Sequence, residues 1–311
     1  MRELVVTRYN ELIDPVLRVW SWQIPVYLFL GGWVAGMMII TGYFLLRRRD
    51  REASCACAVV PGLGIAALSL GMLALFLDLE HKAYVWRLYT TFQVRSPMSW
   101  GAWILIAVYP AIAASWLVSA PPMVRDIVPA LGRVHAALRD HPTHVRTIGA
   151  VNIALGVMLG VYTGVLLSSL GARPFWSSAL LGPLFLLSGL SSAAAFTHLV
   201  ARNPDERVML AHADNYFLAA ELAVIFLFLV GLLNASQAHA DAAALVLGGP
   251  FTASFWVFVV GIGIVIPLFI QVLAVGHRIT HTAIAPLLVM CGGLLLRFVF
   301  VYAGQFSRWS M

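Results

Sequence analysis

The chain has 311 residues, of which 61% are apolar and only 11% charged, against roughly 25% charged in an ordinary soluble domain. That leaves too few polar residues to coat a soluble fold of this size. The formal charge of +6 does not make a nucleic-acid binder either, because Lys and Arg sit in short runs between apolar stretches, as membrane proteins distribute them.

The first 20 residues mix three Arg with Glu3, Glu11 and Asp14 and hold no apolar core, so they do not read as a cleavable signal. The first span therefore serves as its own insertion signal. From there the apolar runs predict eight membrane-spanning helices at about 22–46, 57–79, 100–119, 147–170, 178–200, 213–234, 251–275 and 283–304. Each is about the 20 residues needed to cross a hydrocarbon core of roughly 30 Å. The fold class is all-α integral membrane. Cys55, Cys57 and Cys291 form no even framework and read as free thiols.

Eight spans put both termini on one side. The loops after the first, third, fifth and seventh spans hold eleven Lys and Arg; the N-terminal segment, the other loops and the C-terminus hold eight. The contrast is sharpest at the first span, where a segment of net charge zero precedes and Arg47, Arg48, Arg49 and Arg51 follow. The positive-inside rule then places both termini outside, in the periplasm of a bacterium. The longest inside loop, 120–146, carries four prolines around Met123–Asp140 and reads as a short interfacial helix.

Gly31, Gly32, Ala35 and Gly36 of the first span align with Ser188, Gly189, Ser192 and Ala193 of the fifth. An internal repeat of two four-helix halves explains this spacing, and so does close helix packing alone.

An ionisable residue at membrane depth marks a functional site by default. Several polar residues gather near the outer ends of spans 1 to 4: Gln23 beside Trp20 and Trp22, Asp78 followed by Glu80 and His81, Ser99 and Trp100 entering span 3, and Tyr162 in span 4. The tryptophans also fit an aromatic belt. Asp78 and His81 also fit solvated loop positions, and Tyr162 a hydrogen-bonded interior tyrosine. Together, a carboxylate, an imidazole, an amide and a phenol beside apolar walls suit a ligand with a polar head and an apolar tail, and one that exchanges protons. Arg297 in span 8 lies past the midplane toward the outside. A deeper set comprises Asn152, His198 and Glu221; Glu221 reads as a proton-handling or structurally paired carboxylate.

Three cysteines are too few for an iron–sulfur cluster. His81, His198, His212 and His277 fall near span ends, which argues against intrinsic haem. No phosphate-binding Gly-Lys-Ser/Thr signature is present.

Trp20-Ser-Trp-Gln-Ile-Pro-Val-Tyr-Leu-Phe-Leu-Gly-Gly32, Asp78-Leu79, Ser96-Pro-Met-Ser-Trp-Gly-Ala-Trp103, Tyr162-Thr-Gly164, Pro174-Phe-Trp176 and Arg297…Ala303-Gly-Gln305 occur in that order. The ordered set resembles the NrfD/PsrC family, the membrane subunits of polysulfide-reductase-type respiratory complexes. The resemblance implies two four-helix bundles, 1–170 and 171–311, in the bacterial inner (cytoplasmic) membrane. It implies no haem or iron–sulfur cluster of the subunit's own, and a quinone site, for menaquinone or ubiquinone, in the first bundle. On the periplasmic side it implies a ferredoxin-like iron–sulfur partner, within a complex that also holds a molybdopterin or multihaem cytochrome subunit. Carried onto this sequence, the quinone-binding residues are Gln23, Asp78, His81, Ser99, Trp100 and Tyr162, and the proton-transfer residues are Asp78, Glu221 and Arg297. Gln23 stands where relatives often have His, and it cannot titrate, so Asp78 or His81 must take that proton role. Glu80-His81-Lys82 replaces the more usual Gly/Pro continuation after Asp-Leu. The rival reading is a secondary transporter with a midplane Glu221/Arg297 site; a purely structural anchor is a third.

Overall fold

The structure is a computed structural model that describes residues 20–49, 55–120, 129–276 and 282–309. The N-terminal segment through residue 19, and Arg51, Arg125 and Arg278 of the charge tally, lie outside the described residues. Among the described residues, eight helices are long and apolar enough to cross a membrane, as the sequence predicts. The spanning helices are α1 (Gln23–Leu46), α2 (Val60–Asp78), α3 (Pro97–Ser119), α5 (Pro142–Ser168), α6 (Leu181–Val200), α7 (Pro204–Ala235), α9 (Ile266–Val275, continuing a π-helical segment Ser254–Val265) and α10 (Ile284–Phe306). Among the described residues, two eleven-residue helices lie between spans, α4 (Pro129–Arg139) and α8 (Gln237–Leu247), together with a single helical turn at Arg87–Thr90. Lipid offers the backbone no hydrogen-bond partner, so a span closes its own N–H and C=O groups as a helix.

The expected boundaries hold within a few residues except at two starts. α5 begins at Pro142 and α7 at Pro204, ahead of the apolar runs that mark them. Both prolines sit in the first helical turn, where a missing N–H costs nothing. Asn203 caps α7, its side chain accepting from the Asp205 N–H at 2.9 Å. An apolar run marks the edge of the hydrocarbon, not the end of the helix. The segment 235–250, expected as loop, is largely α8. Within 120–146, where a short interfacial helix is expected around Met123–Asp140, residues 129–139 form α4 and residues 121–128 lie outside the described residues; the His135 ring nitrogen lies 2.8 Å from the Leu117 carbonyl at the end of α3.

Helix α1 is central, packed against α2, α5, α6 and α10. Apolar residues therefore surround it on all sides, and no lipid-facing stripe is written into its sequence. The two small-residue motifs meet face to face across the α1–α6 crossing. A Cβ on Gly36 would lie 2.5 Å from the Gly189 carbonyl oxygen and 2.6 Å from the Ala193 Cβ. Close approach of this kind is what holds helices together where lipid is as apolar as a leucine side chain. Behind it, Phe175, Phe185, Phe228, Phe255 and Phe300 form an aromatic cluster with ring centroids 5.2–6.3 Å apart.

One expectation is corrected. Cys55 and Cys57 are joined in a disulfide, their Cα atoms 5.2 Å apart, and among the described residues only Cys291 is free. Two cysteines separated by one residue in a tight 3-10 turn fall inside the Cα range a disulfide accepts, which the count of three did not reveal.

Candidate functional site

Gln23 opens α1 and Tyr27 follows one turn later, so the two share a helix face. Tyr27 is buried beside α2, where a Cβ on Gly71 would come within 3.9 Å of its ring. Tyr162, also buried, reaches the same region from the last third of α5. The two phenols are within electrostatic range of each other, and Tyr27 is also within range of Tyr89. The Tyr162 ring fills the space in front of Gly101 at the start of α3; a Cβ on that glycine would overlap its hydroxyl. The side-chain oxygen of Gln23 is buried and has no hydrogen-bond partner among the described residues. An orphaned acceptor one turn from a buried phenol is the kind of group that a polar ligand satisfies.

The remaining expected residues lie at the end of α2, at the start of α3 and in the segment between them. Asp78 ends α2 and is partly exposed at the rim. His81 is exposed, its ring 6.5 Å from Tyr84. Ser99 and Trp100 hold the preceding segment: Ser99 Oγ donates to the Thr91 carbonyl at 3.1 Å and accepts from the Gln93 N–H at 3.0 Å, while the Trp100 indole donates to the Val94 carbonyl at 2.7 Å. Their polar groups thus fix the 91–94 loop against the start of α3. Burial pushes the Tyr89 phenol above its usual range. Tyr27 and Tyr89 were missed in the sequence because an isolated tyrosine looks like any other aromatic in an apolar run. The only available signal was the four-residue spacing of Gln23 and Tyr27.

A second polar set is fully buried among α6, α7 and α10. Arg297 Nη1 donates to Ser188 Oγ at 2.6 Å and to the Gly293 carbonyl at 3.3 Å; Nη2 donates to the Phe185 carbonyl at 2.8 Å. Its guanidinium carbon lies 4.5 Å from the centre of the Phe185 ring. Glu221 accepts from Ser191 Oγ at 3.3 Å and is within electrostatic range of Arg297. Lower on the same helix, Asp214 accepts from Gln271 Nε2 at 2.7 Å, and Glu206 accepts from the Ala56 N–H at 3.1 Å. Glu206, Asp214 and Glu221 are spaced by eight and seven residues, about two turns each, and so share one buried face. The sequence pointed to Glu221 alone, since an expected start at 213 left Glu206 in a loop. Asn152 is structural: its Nδ2 donates to the Ala111 carbonyl at 3.0 Å, tying α5 to α3.

These placements account for motifs that the sequence only displayed. In Tyr162-Thr-Gly164, Tyr162 enters the site, Thr163 Oγ1 donates to the Gly160 carbonyl at 2.7 Å, and Gly164 lets α5 touch the backbone of α6 at Leu181. The Trp176 indole donates to the Phe300 carbonyl at 2.9 Å, in front of Gly304. Gln305 grips Trp20 through both backbone groups, at 3.0 Å each. The family profile described as "Polysulphide reductase, NrfD" matches residues 9–307.

The chain belongs to the NrfD family.

Among its relatives, Protein NrfD of Escherichia coli K12 is 32% identical over 315 residues, covering 93% of this chain and 96% of the relative. The C subunit of polysulfide reductase from Wolinella succinogenes is 30% identical over 316 residues, covering 96% of each. A Protein NrfD homolog of Haemophilus influenzae is 28% identical over 307 residues, covering 93% of this chain and 95% of the relative. The chain is a multi-pass membrane protein of this family along its whole described length.

Proposed function

We propose that this chain is the quinone/quinol-interacting membrane subunit of a respiratory oxidoreductase complex, and that its head-group site lies among α1, α2, α3 and α5. The observation that carries the reading is the orphaned Gln23 oxygen, buried on the same helix face as Tyr27 and within the outer ends of the first four spans. The residues fit a quinone: phenols donate to its oxygens, the Gln23 carboxamide pairs with either of its protonation states, and apolar helix faces surround them. A quinone, when bound, supplies two-electron, two-proton chemistry. The chain supplies hydrogen bonds that orient the head group and a carboxylate at the rim. Asp78 is placed to accept a proton and pass it to the aqueous side, since no other acidic side chain lies within its helix.

Both termini and the Gln23 end of the bundle are assigned to the periplasm, and the helices to two four-helix bundles divided near residue 170. An iron–sulfur partner docks near the 80–99 loop, where Tyr84, Trp86 and Phe92 are exposed. The name of the Wolinella relative, one subunit of polysulfide reductase, supports partner subunits that carry the terminal chemistry. Glu221 and Arg297 handle protons deeper in the membrane. A transporter built on that same pair would need no redox partner, so copurification of redox subunits separates the two readings.

Asp78→Asn tests the proposal. It keeps size and most hydrogen bonding and removes the basic site. The complex should assemble at normal abundance and lose quinone-linked turnover by about 100-fold, while electron transfer from artificial donors to the partner subunits survives. Unchanged quinone-linked turnover would reduce Asp78 to a surface carboxylate.

A further inference from the structure

A cavity of about 350 Å³ lies between the outer half of α2 and the 85–89 segment that folds over it. Val85 and Leu88 roof it, and Leu73 and Phe76 of α2 form the opposite wall. Leu73 is 52% exposed and Phe76 37% exposed. On a helix that crosses the membrane, an exposed apolar side chain faces lipid, so the cavity opens sideways into the bilayer and not into water. Its volume lies at the lower end of the range of small-molecule sites.

Ser69 and Tyr89 supply its polar side chains, and they differ. Ser69 Oγ gives its hydrogen to the Ile65 carbonyl at 2.9 Å and lies 3.3 Å from the Tyr109 hydroxyl. That end of the cavity is therefore already satisfied. The Tyr89 hydroxyl has no hydrogen bond among the described residues, and it is within electrostatic range of Tyr109 and of Tyr27, which belongs to the proposed head-group site. Leu79, also in the lining, directly follows Asp78. The cavity is thus apolar for most of its length, open to lipid on one side, and bordered at its polar end by the residues of the candidate site.

We propose that this cavity receives the hydrocarbon tail of the quinone, the first isoprenoid units lying between α2 and the 85–89 segment, with Tyr89 at the junction of tail and head group. The proposal rests on the quinone reading above and adds the route and the specificity: the site selects prenylated over tail-less quinones and loads them laterally from the membrane. A phospholipid acyl chain has the same hydrocarbon chemistry, and the experiment tells the two apart.

The full chain is reconstituted in nanodiscs of one fixed lipid composition. Binding of quinones with one head group and no, one or several isoprene units is followed by quenching of tryptophan fluorescence. In the unaltered protein, affinity rises with the first isoprene units. Val85→Trp fills the cavity from its roof, outside the spans, and should weaken binding of prenylated quinones about tenfold or more while leaving the tail-less quinone unchanged. Leu88→Trp fills the same space and stands in if Val85→Trp unfolds on heating below the unaltered protein. Equal loss for tailed and tail-less quinones, or no loss for either, overturns the proposal. So does a change confined to the phospholipid retained on purification, which would make the occupant an acyl chain. Failure of the quinone reading itself would look different, because the unaltered protein would then bind no quinone of any tail length.

Discussion

The hydroxyl of Tyr162 lies directly against the α-carbon of Gly101, with no room for a methyl group between them. Gly101 begins α3 and Tyr162 belongs to α5, so this contact sets how deeply the phenol reaches between the first four spans. Gly101→Ala should displace the phenol without opening the fold. Misplacement by about 1 Å is worth roughly 100-fold where geometry is productive, so quinone-linked turnover should fall by about 10- to 100-fold at normal abundance. Gly171→Ala, where nothing lies within 4 Å, serves as the control. Matching activity in both variants would detach Tyr162 from the site.

Arg297 and Glu221 are buried together within electrostatic range of each other, Arg297 donating to Ser188 and Glu221 accepting from Ser191. Removing one partner leaves the other charge in an apolar interior, which typically costs about 3–5 kcal/mol, whereas removing both together is often close to neutral. Arg297→Met should therefore lower the unfolding temperature and yield of the purified protein. Arg297→Met combined with Glu221→Gln should recover most of the loss. A double variant no more stable than Arg297→Met alone would show that the carboxylate and guanidinium are not energetically coupled.

Reporter fusions test the orientation. One placed after Met311 should be active only in the periplasm and one near Arg49 only in the cytoplasm. The reverse pattern would turn the bundle over and move the partner surface to the other side of the membrane.

Much of this architecture is legible in the amino-acid order because the bilayer enforces simple rules. Runs of about 20 apolar residues locate the spans, and Gly36 and Gly189 announce a close helix crossing. The limits are equally physical. Hydropathy ends where hydrocarbon ends, so it misplaced the start of α7 and with it Glu206. It also passed over Asp214, whose partner Gln271 lies 57 residues away. Gln23 and Tyr162 stood out in the sequence as candidates because polar groups are rare at their depth. Tyr27 was not, since burial between α1 and α2 is a property of packing and not of composition. Ser99 and Trp100 stand at the right place in the chain, yet their hydrogen bonds turn back to residues 91–94, a direction that only coordinates reveal.

The proposed head-group site among the first four spans, at Gln23, Tyr27 and Tyr162, can be tested by covalent capture. A photoreactive quinone is cross-linked to the full chain in membranes, and its adducts are mapped by peptide mass spectrometry. Adducts should be confined to peptides from the Gln23 end of α1, the outer half of α2, the start of α3 and the Tyr162 region of α5, all suppressed by excess unmodified quinone. Adducts concentrated around Ser188, Glu221 and Arg297, or labelling that excess quinone does not suppress, would contradict a head-group site in the first four spans.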